Sequence, residues 1–216
     1  MTHLDLSVYL VTDEQICRSA GRSVVDVVSA AVAGGVTTVQ VRAKHTDGGP
    51  FLRQVTDIAQ VLPPEVTLLV NDRVDVYLAA RASGVRVHGV HVGQTDLPVA
   101  AVRALVGDDA VIGLSASTIA EIAAAEQSPA RVDYVGIGVV HDTSTKQDAP
   151  AALGVDGVAQ LARATSLPAV AIGGVHHNDL PGLRVGGLAG AAVVSAVCAA
   201  SDPQQASAQL REAWGA

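Results

Sequence analysis

The chain has 216 residues, 49% of them apolar but only 2% aromatic, and a formal net charge of −7. That length fills one core and is short for two domains, and the scarcity of rings leaves Val, Ala, Leu and Ile to fill the volume, as in parallel strands covered on both faces by helices. The acidic balance argues against a general nucleic-acid or anionic-membrane surface, so an anionic ligand must be held by a local cluster against the overall field.

Met1-Thr2-His3-Leu4-Asp5 carries no basic region ahead of an apolar core, so no secretory signal is expected. Short β-rich runs then alternate with Ala-rich stretches of helical spacing. The expected strands are Val8–Thr12, Thr37–Arg42, Thr67–Asn71, Gly89–Gly93, Val111–Ala116, Tyr134–Gly138, Ala169–Gly173 and Ala191–Ser195. The expected helices are Val24–Ala33, Leu52–Leu62, Val74–Ala80, Val99–Leu105, Ile119–Ala125, Val155–Ala164, a short piece near Asn178–Leu183, and Gln204–Trp214. Eight such units predict a single-domain (β/α)8 TIM barrel over residues 1–216, with a doubly wound sheet as the alternative. The barrel is preferred because the count closes at eight and no Gly-x-Gly-x-x-Gly follows the first strand. Residues 85–88 read as an extra turn or strand segment feeding the fourth strand. The long polar connection from about Val139 to Gly154 reads as a lid.

In a barrel, chemistry sits at the C-terminal ends of the strands. After the second strand, Gln40, Arg42 and Lys44 alternate with Val41 and Ala43, so an amide and two cations leave the same side of the chain. Arg offers a planar fork and Lys a compact charge, a pair suited to a multiply charged oxyanion; an ordinary solvated strand end is the plainer alternative. Asn71-Asp72 end the third strand, and Gln94-Thr95-Asp96 follow the fourth. At ~4 Å and an effective dielectric of ~20, each carboxylate–phosphate contact would cost about 4 kcal/mol. A divalent cation between Asp72 and Asp96 reverses that sign, and oxygen-only ligation completed by substrate phosphates suits Mg2+. Taken singly, each Asp could instead begin the helix that follows it. Ser115 ends the fifth strand, Thr143-Ser144-Thr145-Lys146 lies in the long loop, and Gly173-Gly174 and Ser195-Ala196 sit where barrels bind a phosphate on backbone N–H groups. Two anion sites emerge, suggesting two phosphorylated small-molecule substrates joined in one pocket.

The histidines say less. His88 and His91 read as packed or surface residues, and His141 stands out only by lying in the expected lid. Cys17 and Cys198 are too few for a disulfide framework and read as small buried residues in a reducing cytoplasm. The stretch from about Val185 to Ala200 is shorter than the ~20 residues that a bilayer requires, so a soluble protein is expected.

These residues, in this order, resemble the thiamine-phosphate synthase family. Gln40, Arg42 and Lys44 match its Gln-x-Arg-x-Lys. Asn71 and Asp72 match its Asn-Asp; His91, Gly93, Gln94 and Asp96 match its His-x-Gly-Gln-x-Asp. Gly113-Leu114-Ser115, Thr143-Ser144-Thr145-Lys146, Gly173-Gly174 and Val194-Ser195 follow in register, and the likeness runs from Tyr9 to Trp214. The resemblance implies that hydroxymethylpyrimidine diphosphate and a thiazole phosphate are joined to thiamine monophosphate and pyrophosphate. It implies a dissociative course through a pyrimidine-methylene cation, with Mg2+ on Asp72 and Asp96. It also implies that Gln40, Arg42, Lys44, Asn71, Ser115 and Lys146 engage the pyrimidine diphosphate, with Arg42, Lys44, Ser115 and Lys146 the catalytic set. Thr143, Ser144, Thr145, Gly174, Val194 and Ser195 would hold the thiazole phosphate. No general base is required, in keeping with the lack of an obvious His–carboxylate pair in the sequence.

The chain departs from the family in two places. Ala43 stands where the family often has Glu, at a position expected to face away from the pocket. His141-Asp142 stands where an aromatic-Pro is common, adding a negative charge to the lid. Two rivals stay open, a thiazole tautomerase-like paralogue and a non-catalytic phosphate-binding barrel. Asp96 and Lys146, which the tautomerase tends to lack, favour the synthase. The oligomeric state is left open, a homo-oligomer included.

Overall fold

A computed structural model describes residues 4–143 and 151–215. Eight parallel strands close into a barrel in sequence order: β1 (Val8–Val11), β2 (Thr38–Val41), β3 (Thr67–Asn71), β4 (Gly89–Val92), β5 (Val111–Ser115), β6 (Tyr134–Gly138), β7 (Ala169–Ile172) and β8 (Gly190–Val193). Closure is made by β1 with β8, where Tyr9 faces Ala192. The doubly wound alternative is thereby excluded, since an open sheet has two unpaired edges.

The helices are α1 (Glu14–Ser19), α2 (Val24–Ala33), α3 (Gly48–Val61), α4 (Val74–Ala82), α5 (Val99–Val106), α6 (Ile119–Glu126), α7 (Gly154–Ala162), α8 (Leu180–Val185), α9 (Ser195–Cys198) and α10 (Pro203–Trp214). Two of them, α1 and α9, fall where no helix was expected, because six and four residues are too short to display a helical period. Helix α3 starts four residues before the expected Leu52, at Gly48; Gly-Gly-Pro reads as a turn locally, yet Pro is tolerated in a first helical turn. Residues 85–88 form an extended connection rather than a strand, held by the Leu68 N–H on His88 Nδ1 at 2.9 Å.

Strand alternation sorts the apolar side chains into two cores. The outward set, Val8, Leu10, Val39, Val41, Leu68, Val70, Val90 and Val92 among them, packs under the helices. The inward set is smaller and contains Tyr9, Val11, Leu69, Tyr134, Val170 and Ala192. Burying each such Val or Leu contributes roughly 1.5–3 kcal/mol, so both cores are substantial. The two thiols belong to the outer shell: Cys17 of α1 and Cys198 of α9 are fully buried and touch side chain to side chain.

The ends of the cylinder differ in kind. At the N-terminal end Arg103, only 9% exposed, donates to the carbonyls of Ala130 and Ala110 at 2.7 and 2.6 Å and pairs with Asp133 at 3.1 Å. All its partners are structural, so this end holds the barrel together. The C-terminal end carries the ion pairs Arg42–Asp13 and Lys44–Asp72.

Candidate active site

The rim is built strand by strand. In β2, Val39 and Val41 pack outward, which turns Thr38 and Gln40 inward. Gln40 is 4% exposed and donates from Nε2 to the Tyr9 hydroxyl at 2.6 Å. Just beyond the strand, the Arg42 backbone N–H donates to Thr12 Oγ1 at 3.0 Å, and its guanidinium pairs with Asp13 Oδ2 at 3.1 Å. Lys44 leans the other way and places Nζ 3.9 Å from Asp72 Oδ2. The amide and the two cations thus fan out over three neighbouring strands instead of meeting at one atom. Asp13 is a rim residue that sequence reading missed; its place directly after the first strand was the available signal.

Asp72 sits in the left-handed region, φ 59, a conformation in which Asp is one of the few tolerated side chains. Asn71 Nδ2 donates to its Oδ1 at 2.8 Å, and its own N–H reaches the His91 carbonyl at 2.9 Å. The helix-start alternative does not hold: the cap of α4 is Arg73 and that of α5 is Pro98, neither with a side-chain cap bond. Asp96 instead folds back to accept the Gly93 N–H at 2.7 Å. The Asp96 carboxyl lies near enough to Asp72 to act on its charge. Burial first, then the Asp96 carboxyl, push Asp72 up to about 6 against the pull of Lys44 and Arg42. A cavity of about 140 Å³ opens beside them, lined by Ala43, Lys44, Asn71, Asp72 and Arg73. A larger one, about 420 Å³, lies among α1, α2 and α3 and includes none of the strand-end residues.

A half-buried Asp72 carboxyl, pushed up by the exposed Asp96 carboxyl beside it, is a fit for a hard divalent cation, which removes the repulsion between them. Among the described residues, no three acidic, His or Cys side chains are arranged to hold a metal ion by themselves. A cation held here would therefore keep coordination positions for phosphate oxygens and water, as Mg2+ does.

On the opposite side, Gly173 and Gly174 both have positive φ, 88 and 66. A Cβ on Gly173 would meet Val139 Cγ1 at 2.4 Å, and one on Gly174 would meet the His141 carbonyl at 2.8 Å. Only glycine lets the chain after β7 press onto the start of the β6 loop. Val194 and Ser195 stand at the entry to α9, next around the barrel. His141, 3.0 Å from Asp179, stacks on His176 with ring centroids 5.6 Å apart. The expectation that the chain lacks an obvious His–carboxylate pair is thus corrected; 38 residues separate the partners, which hides the pair from local inspection. Asp179 also accepts the His176 N–H at 2.8 Å, so it closes a turn as well as holding the imidazole. Thr143 is the last described residue before residue 151, and Ser144, Thr145 and Lys146 lie outside the described residues.

Inside the mouth, His91 is 8% exposed and bonds Tyr134 Oη through Nδ1 at 2.9 Å and Ser115 Oγ through Nε2 at 3.0 Å. A packed or surface histidine was expected; it is packed, but between polar groups. Gln94 Nε2 donates to the Ser115 carbonyl at 2.6 Å, which secures the end of β5.

Sequence and structure comparisons place the chain among known proteins. A family model described as "Thiamine monophosphate synthase" matches residues 8–197. A thiamine-phosphate synthase of Albidiferax ferrireducens is 43% identical over 208 residues, covering 96% of this chain and 91% of that one. One from Laribacter hongkongensis is 44% identical over 212 residues, covering 96% and 94%. Among solved structures, the thiamine phosphate pyrophosphorylase from Pyrococcus furiosus superposes with a TM-score of 0.85 at 29% identity, over 98% of this chain and 96% of its own.

Proposed function

This chain belongs to the thiamine monophosphate synthase family, and from that premise we infer how its rim carries out the reaction. The enzyme condenses hydroxymethylpyrimidine diphosphate with thiazole phosphate, giving thiamine monophosphate and pyrophosphate. The C–O bond to the diphosphate breaks with its electron pair leaving on pyrophosphate, and the thiazole nitrogen supplies the pair that forms the new C–N bond. No proton need move, so the His141–Asp179 pair has no proton transfer to perform in this scheme.

Negative charge grows on the departing oxygens, and the basic groups of the rim are arranged to meet it. Arg42 is held in place by Asp13, while Lys44 spans toward Asp72, so both cations are oriented before the substrate arrives. Asp72 and Asp96 are the groups that would hold Mg2+. Bound there, the ion would neutralise the diphosphate and favour its departure. Gln40, Asn71 and Ser115 contact the pyrimidine diphosphate, and Lys146 adds a further cation from the loop. Thr143, Ser144, Thr145, Gly174, Val194 and Ser195 bind the thiazole phosphate. The free thiols Cys17 and Cys198 suit a reducing cytoplasm.

The observation that carries this reading is the gathering of Asp72, with Asp96 acting on its charge, 3.9 Å from Lys44 and beside Arg42 at one rim. The test is to incubate the purified protein with both substrates and Mg2+ and assay both products. Equal amounts of thiamine monophosphate and pyrophosphate are expected. Isomerised thiazole phosphate alone would mark a tautomerase, and binding without turnover a ligand-holding barrel.

A further inference from the structure

Five side chains form an unbroken hydrogen-bonded row across the barrel interior. Gln40 Nε2 donates to Tyr9 Oη at 2.6 Å; Tyr9 and Tyr134 share a bond of 2.7 Å; Tyr134 Oη meets His91 Nδ1 at 2.9 Å; His91 Nε2 meets Ser115 Oγ at 3.0 Å. The row is built in. A Cβ on Gly113 would strike the Tyr134 hydroxyl at 2.3 Å and His91 Nδ1 at 2.5 Å, and one on Gly136 would press on His91 Cε1 at 3.2 Å. Glycine on β5 and β6 is what admits the two rings. Both ends of the row are residues that the family reading places on the pyrimidine diphosphate. The three middle residues have been given no role.

Each link in such a row carries one proton, and each hydroxyl has one proton to place, so all of them are satisfied within the row only when the links run in one sense. Burial keeps both phenols protonated, pushing each well above the usual tyrosine range, so neither becomes an acceptor only. With the Gln40 amide nitrogen donating inward, every hydroxyl proton finds an acceptor within the row only if Tyr9 donates to Tyr134, and Tyr134 to His91 Nδ1. His91 then carries its proton on Nε2 and gives it to Ser115 Oγ. Two consequences reach the mouth: Gln40 keeps Oε1 as an acceptor, and Ser115 keeps its own proton as a donor. Reversing either end requires reversing every link between them.

We propose that Tyr9, Tyr134 and His91 are positioning residues that set Gln40 as acceptor and Ser115 as donor, and thereby select a pyrimidine edge carrying an amine beside an unprotonated ring nitrogen. The proposal rests on the reading that Gln40 and Ser115 touch the pyrimidine. An edge of opposite pattern, an oxo group beside a ring N–H, meets acceptor with acceptor and donor with donor. The middle residues touch no substrate; they act through the two that do.

The test cuts the row at its centre. Tyr134→Phe removes one hydroxyl and keeps the ring that packs edge-on against Tyr9 at 6.0 Å. Steady-state kinetics are measured for hydroxymethylpyrimidine diphosphate and thiazole phosphate, and inhibition constants for the analogue with oxo in place of amine. In the variant, KM for the aminopyrimidine should rise about tenfold, the upper end of what one oriented hydrogen bond is worth. The preference over the oxo analogue should shrink by about the same factor, while KM for thiazole phosphate stays within about twofold. An unchanged preference, or a parallel loss for both substrates, overturns the proposal, because a merely structural hydroxyl would not separate them. Should Tyr134→Phe not fold, Tyr9→Phe makes the same cut one link away and is judged by the same ratios. Wild-type protein that makes no thiamine monophosphate would defeat the family reading instead, an outcome visible before any variant is tested.

Discussion

Asp13 joins two tasks in one carboxylate: Oδ1 accepts the Ile16 N–H at the start of α1, and Oδ2 holds Arg42 at 3.1 Å. The tasks are separable by substitution, because Asn caps a helix about as well as Asp but has no charge. Asp13→Asn should leave Tm nearly unchanged while lowering kcat, since Arg42 loses its orientation. Asp13→Ala should also lose the cap, about 1 kcal/mol, or about 2–4 °C in Tm for a chain of this size. Arg42→Ala should lower kcat by about 100-fold, the scale of one preorganised charge-stabilising group. A change confined to KM would show that Arg42 binds ground state and transition state alike. Asp72 and Asp96 belong to a different class. Replacing either with Ala should move the Mg2+ saturation curve to higher concentration and slow turnover at saturating Mg2+. Rates that need no metal and are untouched by both substitutions would remove the ion from the mechanism.

Among the elements, the short connections after β7 and β8 carry more of the site than the long helices do. Gly173→Ala places a methyl 2.4 Å from Val139 Cγ1 at φ 88, so both clash and backbone strain apply. We expect a loss of roughly 1–3 kcal/mol in stability and a raised KM for thiazole phosphate, with KM for the pyrimidine diphosphate little changed. Helix α6 is the contrasting case. Thr118 and Glu121 form a reciprocal capping box at its start, and neither side chain is among those assigned to a substrate. Thr118→Ala should cost about 1 kcal/mol by thermal denaturation and leave both KM values and kcat alone. A kinetic effect there would mean that the helical shell tunes the rim, contrary to its role as scaffold.

For the molecule as a whole, the acidic balance and the basic rim pull in opposite directions. The net charge of −7 repels a diphosphate, and the two carboxyls of the site repel it further. Pyrophosphate and Mg2+ should therefore bind as a pair. At 100 times the dissociation constant, binding adds ~2.7 kcal/mol to folding stability, which is about 5–10 °C in Tm for a chain of this length. Differential scanning fluorimetry should show that rise with both present and little with either alone. Full stabilisation by pyrophosphate in excess chelator would place the anion on protein groups only and sink the paired-binding account.

Much of this was legible in the chain itself. Strand runs alternating with helical spacing are local periodicities, so the eight units, their order and the barrel class follow from reading a few residues at a time. The place of Gln40, Asp72, Asp96 and Ser115 at or just beyond strand ends was legible for the same reason, since position within a strand is a local property. What the sequence did not disclose is which side chains meet across the cylinder. Tyr9 and Tyr134 are 125 residues apart, Arg42 and Asp13 are 29, and His141 and Asp179 are 38, yet each pair is in contact. Closure of the sheet decides those meetings, because bringing β8 onto β1 sets the radius and stagger at which inward side chains cross the interior, and no stretch of sequence carries that distance.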